Sequence, residues 1–120
     1  MRKFRWTLPL TFAACLMGAP THADQEVVVV THVDVDPQFV NQDLMDSLMT
    51  FVTDSRKELG VKSFTLITQD PTTNHFQLIE VFRDMLAFDA HVSAEHTKTF
   101  RKDLQPLLGA PYDERLYQTD

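Results

Sequence analysis

Residues 27–35 read Val-Val-Val-Val-Thr-His-Val-Asp-Val, and the architecture follows from this run. A short segment that is rich in β-branched residues and apolar at consecutive positions predicts a central strand, covered on both faces of its sheet. Asp36 and Pro37 follow directly and form a helix start signal, with Asp36 as N-cap and Pro37 at the first helical position. Apolar residues then recur at helical spacing as far as Leu59, and Gly60 is expected to end this helix as its C′ residue.

The remainder of the chain alternates between strand and helix patterns. Two strands joined by a turn of Asp, Pro, Thr and Asn residues predict a hairpin. The further elements are, in chain order, a strand over 61–69, a strand over 75–83, a short helix over 84–91, a helix with Ser93 as N-cap running to about Leu108, and a strand over 112–118. The order βαββαβ predicts an α+β, ferredoxin-like antiparallel sheet with its helices on one face.

One face of this sheet has no predicted cover. The first strand offers apolar side chains to both sides, but a chain of this length has no spare element for the second side. We therefore predict a homodimer whose sheets pack face to face. The alternative is a monomer with an exposed apolar sheet face, which would cost solubility.

The first 23 residues have the three regions of a secretory signal peptide. A basic start is followed by an apolar run and by the small-residue site Thr21-His22-Ala23, which predicts cleavage before Asp24. The apolar run has about 12 residues, too few for the ~20 of a membrane span. We expect residues 24–120 to form one periplasmic or secreted domain with no membrane attachment. The alternatives are an uncleaved anchor, an amphipathic N-terminal helix, or lipidation at Cys15.

Composition excludes several classes of function. The 120 residues are 43% hydrophobic and carry 11 basic and 17 acidic side chains, for a net charge of −6. That charge disfavours nucleic acid as a partner, because phosphate binding needs clustered Lys and Arg. Three glycines make a phosphate-binding glycine loop implausible. The single cysteine lies in the predicted signal peptide, so disulfides, a thiolate metal site and a cysteine nucleophile are excluded from the mature chain. The sequence shows no nucleotide-binding motif and no zinc-binding Cys/His array, and we expect no cofactor.

Three side chains are candidates for catalysis. Glu80 shares a strand face with Phe76, Leu78 and Phe82, so it is either a desolvated general base or a structural carboxylate that ties a helix to the sheet. His91 and His96 are candidate proton acceptors, the alternative being packing or a hydrogen bond from His91 to Glu80. On one continuous helix the two rings would lie about 140° apart, which disfavours a two-histidine metal site. A break near Ser93 would turn both rings toward one cavity mouth.

The candidate substrate-binding residues are aromatic or lie on the first strand. Phenylalanine rings belong to the core in most domains, but some line cavities and stack on an aromatic ligand. The candidates are His32, Phe64, Phe82, Phe88 and Phe100.

The order of these motifs resembles a known family. Residues 76–84, 87–91, His96, Phe100 and 112–117 give an aromatic-rich strand with a glutamate, a short helix ending in Ala-His, and a second His followed by an aromatic residue. This pattern is similar to the antibiotic biosynthesis monooxygenase family, in particular its small quinol monooxygenase-like branch. The resemblance implies a dimeric α+β barrel and a cavity between sheet and helices for flat aromatic substrates. The family includes cofactor-free oxygenases, haem-degrading enzymes and an isomerase. The haem-degrading branch, whose pattern uses Asn, Trp and His, is a poor match, because the only Trp is Trp6 in the predicted signal peptide and Arg101 stands where that branch would place its His.

Three functions follow as hypotheses. The first is a cofactor-independent monooxygenase that uses O₂ on a small quinol-like or phenolic aromatic, with His91 or Glu80 as base. The second is an isomerase or degradative enzyme for a small oxygenated metabolite, using the same acid–base groups without O₂. The third is a non-catalytic module that binds a hydrophobic ligand.

Overall fold

A computed structural model describes residues 25–120. The predicted signal peptide, its cleavage after Ala23 and the alternative lipidation at Cys15 lie outside the described residues. Seven regular elements follow one another: β1 (Val27–Asp34), α1 (Gln42–Arg56), β2 (Val61–Thr68), β3 (His75–Phe82), α2 (Met85–Ser93), α3 (Glu95–Leu104) and β4 (Asp113–Gln118).

The four strands form one antiparallel sheet in the order β2-β3-β1-β4. The predicted central position of β1 is confirmed, because it pairs with β3 on one side and β4 on the other. Burial alternates strictly along β1 and β3, as the two-residue period of a strand requires. The buried side chains of these two strands are Val27, Val29, Thr31, Val33, Phe76, Leu78, Glu80 and Phe82.

The helices cover the inner face of the sheet, on which those side chains lie, and this confirms the predicted ferredoxin-like α+β fold. One apolar core joins the inner face to Leu48 and Phe51 of α1, Phe88 of α2 and Phe100 of α3. The outer face carries Val28, Val30, Ile79 and Val81, which are only half-buried. Among residues 25–120, every helix is too short or too polar to cross a lipid bilayer.

The first helix begins and ends at other residues than predicted. Asp36 does act as an N-cap, with its Oδ1 accepting from the Gln38 amide at 3.1 Å, but it caps only a single 3₁₀ turn over Pro37–Phe39. The chain then extends at Val40, and α1 starts from a new N-cap, Asn41, whose side chain accepts from the Leu44 amide at 2.9 Å.

Gly60 is not the predicted C′ residue, because α1 ends at Arg56 and no described glycine has a positive φ. A Cβ atom at Gly60 would lie 2.1 Å from the Cβ atom of Ala87. Glycine is therefore required here by the close approach of α2 and not by a left-handed turn.

The second helical region breaks where α2 and α3 meet. Ser93, the predicted N-cap, is the last residue of α2 instead, and Ala94 is the extended residue between the helices. No side chain caps the start of α3, which ends at Leu104 and is followed by a 3₁₀ turn over Gln105–Leu107. The break changes the chain direction between His91 and His96, and so determines how these two rings meet.

Candidate active site

His91 is the centre of a buried polar cluster. It lies in the last turn of α2 and is 0% exposed. Its Nδ1 lies 2.7 Å from Oε2 of Glu58, and its Nε2 lies 3.3 Å from Oε1 of Glu80. The first contact is a hydrogen bond, and the second is an ion-pair distance without hydrogen-bond alignment. Each ring nitrogen therefore faces a different carboxylate.

Glu80 reaches this cluster from the sheet. It lies on the inner face of β3 and is 1% exposed, as its place among apolar neighbours predicts. The hydroxyl of Thr31 on β1 donates to Oε2 of Glu80 at 3.1 Å. A buried carboxylate is costly without partners, and Thr31 and His91 each supply one.

Glu58 connects the buried histidine to the surface. Its Oε2 also lies 3.1 Å from Nε2 of His96, and Ser55 Oγ lies 3.4 Å from the same nitrogen. The ring centroids of His91 and His96 are 6.1 Å apart. The break at Ala94 thus brings both rings to one carboxylate, so the angular argument for a continuous helix does not apply.

The two carboxylates control the protonation of His91. Burial lowers the pKa of the imidazole, but the contacts with Glu80 and Glu58 outweigh it and raise the pKa above 6.5. Both nitrogens of an imidazolium carry a proton, and this form matches a ring with one carboxylate at each nitrogen.

The polar cluster extends across the sheet beyond Glu80. Tyr112, which precedes β4, lies close enough to Glu80 and Arg101 for both charges to affect the pKa of its hydroxyl. Burial raises the pKa of Tyr112, and the result is about 12. The Arg101 guanidinium, 5.3 Å from the ring centroid, favours the phenolate but only partly offsets the effect of burial. Tyr112 therefore stays a neutral hydroxyl near physiological pH.

Aromatic rings enclose His91. The centroids of Phe51, Phe64 and Phe82 lie 5.6, 5.4 and 5.2 Å from the imidazole centroid. Phe100 stacks on Phe51 at 3.9 Å, and Phe88 contacts Phe82 edge-on at 5.5 Å. The four phenylalanines predicted to bind substrate therefore lie in one region. Phe64 and Phe82 contact His91, and Phe88 and Phe100 pack behind the rings that do.

Comparison with known proteins identifies the family. Residues 26–103 match the family described as antibiotic biosynthesis monooxygenase. The chain belongs to the antibiotic biosynthesis monooxygenase family. The resemblance inferred from the strand with Glu80 and the two histidines is confirmed at this level. Members of this family are generally monooxygenase-like.

Individual relatives of this antibiotic biosynthesis monooxygenase chain are distant. The uncharacterized protein sll1783 of Synechocystis sp. is 27% identical over 96 residues, which cover 80% of this chain and 65% of that relative. The structure of Rv0793 from Mycobacterium tuberculosis has a TM-score of 0.70 at 24% identity and covers 77% of this chain and 92% of that chain. A Nitrosomonas europaea protein assigned to the same family gives 0.74 at 16%, covering 86% and 95%. These structures show the shared fold.

Access to the cluster of this family member is through His96. A groove of about 360 Å³ between α1 and α3 is lined by Phe51, Asp54, Glu95, His96 and Phe100, among others. The side chains of His96 and Glu58 are 28% and 19% exposed, whereas His91 and Glu80 are sealed below them. The groove therefore meets the cluster at His96, and Glu58 connects His96 to His91 below it.

His32 does not belong to this cluster. It lies on the outer face of the sheet opposite Gln77, and its Nδ1 is 3.4 Å from the Gln77 side-chain nitrogen. The sequence placed His32 with Val28 and Val30, and the structure agrees, so the sheet separates it from Glu80. Its predicted part in substrate binding has no support from the geometry of the cluster.

Glu58 is the functional residue that sequence reasoning missed. The buried stripe of α1 runs through Leu48, Phe51 and Ser55 at spacings of three and four, and Glu58 is the next position along it. A serine and a glutamate that continue an apolar stripe were the available signal, because polar residues on a buried face need partners there.

Proposed function

We propose that this protein is a monooxygenase that uses O₂ to oxidise a small quinol-like or phenolic aromatic without a resident cofactor. Membership of the antibiotic biosynthesis monooxygenase family supports the reaction type. The observation that carries the proposal is the continuous series His96, Glu58, His91 and Glu80, which runs from an aromatic-lined groove into the core. Such a series holds a proton away from solvent, as deprotonation of a phenol requires.

The first step is removal of a hydroxyl proton. The contacts of His96 with Glu58 and Ser55 use only Nε2, which leaves Nδ1 for the substrate hydroxyl in the groove. As Nδ1 takes the proton, the Nε2 proton is held by the Glu58 carboxylate, which stabilises the imidazolium that forms. Phe51 and Phe100 offer apolar surface to the substrate ring from the groove wall.

The redox chemistry then belongs to the substrate. The phenolate passes one electron to O₂, the two radicals combine in a C–O bond, and the resulting hydroperoxide loses water. For a hydroquinone the balance is one quinol and one O₂ giving one hydroxyquinone and one water, so the ring loses four electrons and O₂ gains four. The protein supplies the base, the orientation and a site that excludes water.

Oxygen uptake on a hydroquinone tests the proposal. With a metal chelator present, wild-type protein should exceed spontaneous autoxidation, and His96→Ala should lower the enzymatic rate by about 100-fold, the usual contribution of a positioned base. His75→Ala is the matched control, because His75 pairs with Asp34 away from the cluster and should leave the rate unchanged. Equal rates with and without protein would exclude the oxygenase, and turnover under argon would support the isomerase instead.

We also propose that the mature chain works as an exported homodimer. The half-buried Val28, Val30, Ile79 and Val81 on the outer face favour a second copy, because docking removes apolar surface from water. The basic start, apolar run and small-residue site of residues 1–23 support export to the periplasm or the medium.

A further inference from the structure

We infer that Glu58, His91 and His96 bind one transition-metal ion of the Zn²⁺ type. Glu58 Oε2, His91 Nδ1 and His96 Nε2 lie within 4.8 Å of one another. They come from the turn after α1, the end of α2 and the start of α3, so three segments converge on one point. Two imidazoles and one carboxylate are the protein ligand set of many zinc sites that keep a fourth position for water.

Small side-chain movements complete the geometry. Zinc lies about 2.0–2.2 Å from N and O ligands, so tetrahedral donors are roughly 3.4 Å apart. Glu58 Oε2 is 2.7 Å from His91 Nδ1 and 3.1 Å from His96 Nε2, so it must withdraw by about 0.7 and 0.3 Å. The two ring nitrogens, which lie within 4.8 Å of each other, must come to the same spacing. His96 and Glu58 are partly exposed and free to adjust, whereas His91 is fixed by its aromatic neighbours.

The surroundings of His91 are those of a metal-bound histidine. A ligating imidazole usually presents its second nitrogen to a carboxylate, which fixes the ring orientation and raises its basicity. Here Nε2 of His91 faces Glu80 Oε1 at 3.3 Å, and Thr31 holds the other oxygen of Glu80. With both imidazoles neutral, the charges of Glu58 and Glu80 balance those of a divalent ion.

The donor set also selects the kind of ion. Imidazole nitrogen suits Zn²⁺, Co²⁺, Ni²⁺ and Cu²⁺, whereas Mg²⁺ and Ca²⁺ prefer sites made only of oxygen. The groove beside His96 gives an ion a route to the site. A neutral His96 ring that binds zinc through Nε2 carries its proton on Nδ1. That nitrogen then cannot accept a proton from a substrate, so bound zinc blocks the base of the proposed oxygenase. The metal site itself stands on its own geometry and does not depend on that activity.

Calorimetric titration of the untagged protein with ZnCl₂ tests the site without any turnover. We expect one ion per chain, no binding of MgCl₂, and a shift of the apparent affinity to weaker values as pH falls, because protons compete for both rings. Glu58→Gln and His96→Ala should each weaken zinc binding by at least about tenfold, the effect expected when one ligand of a small set is lost. Circular dichroism on each variant establishes that it is folded.

His75→Ala is the control for zinc binding by a surface histidine. It removes a histidine–carboxylate pair outside the cluster, His75 with Asp34 at 2.6 Å, and should bind zinc as wild type does. Absence of binding at millimolar ZnCl₂, or folded Glu58 and His96 variants that bind like wild type, would overturn the inference. In either case oxygen uptake in chelator remains a separate measurement, so failure here and failure of the oxygenase are distinguishable.

Discussion

Protonation of a histidine without solvent contact is unfavourable, because burial removes the hydration of the imidazolium. His91 is in that position, yet its environment favours the charged ring, since a carboxylate oxygen lies close to each of its nitrogens, from Glu58 at 2.7 Å and from Glu80 at 3.3 Å. The carboxylates depend on the ring in turn, because Glu80 is itself buried and, among residues 25–120, its close polar contacts are with His91 and Thr31. Removing one member would leave an uncompensated charge in the core.

This coupling predicts how stability depends on pH. The folded pKa of His91 is raised above 6.5, so its contribution is fully present below the unfolded pKa and is lost as pH rises through the folded pKa. Urea unfolding of wild type and His91→Gln in chelator, at about pH 6 and about pH 9, isolates this contribution. The stability difference between the two proteins should be larger at the lower pH. A difference that stays constant or grows with pH would contradict the assignment.

At the scale of elements, strands were predictable and helix ends were not. In the strands that contain Val29 and Glu80, apolar residues occupy most of the alternate positions that form the buried face. A shift of the strand by one residue would move every side chain to the wrong face, so the pattern fixes the register. Helix ends depend on single residues that compete. Asp36 and Asn41 are both good N-caps, and the chain uses both because an extended Val40 lies between them.

The site was predictable to a similar extent. Glu80, His91 and His96 stood out because acidic and imidazole groups among apolar neighbours are unusual. Glu58 did not, since its partial burial depends on the approach of α2 to the end of α1. The sequence marks that approach only indirectly, through the buried stripe that Ser55 and Glu58 continue and through Gly60. Contacts between elements decide whether such a residue is buried in the site, and a local sequence pattern contains little information about those contacts.

The close approach at Gly60 makes a prediction of its own. Gly60→Ala would place a Cβ 2.1 Å from that of Ala87, so α2 must shift, at a cost of about 1–3 kcal/mol as for other overpacked sites. Chemical denaturation measures the loss. The double variant Gly60→Ala, Ala87→Gly should recover part of it, because the 2.1 Å contact is removed and the closest remaining atom is the Cα of residue 87 at 3.2 Å. Strict additivity of the two changes would show that the contact is not the cause.

At the scale of the whole molecule, the two sides of the sheet differ in cover. The inner face is closed by α1, α2 and α3, whereas the outer face leaves Tyr117 52% exposed beside a half-buried aliphatic centre. Val30 and Ile79 are directly paired across β1 and β3 in that centre. A second copy of the sheet packed on this face would bury the centre at the middle of a symmetric interface.

Native mass spectrometry at micromolar concentration should therefore show a dimer, and Ile79→Lys should convert it to a monomer. In the monomer the lysine lies at a surface strand position and is solvated. In the dimer its charge would be buried without a partner. The cost of that burial is several times the roughly 1.4 kcal/mol that corresponds to a tenfold change in affinity. Leu59→Lys is the matched control, because Leu59 is 99% exposed in the turn between α1 and β2 and should leave the dimer intact. A monomeric wild type would show that the chain does not dimerise at this concentration. An Ile79→Lys dimer as tight as wild type would show that the interface is on another surface. In either case the outer face would be a solvated surface.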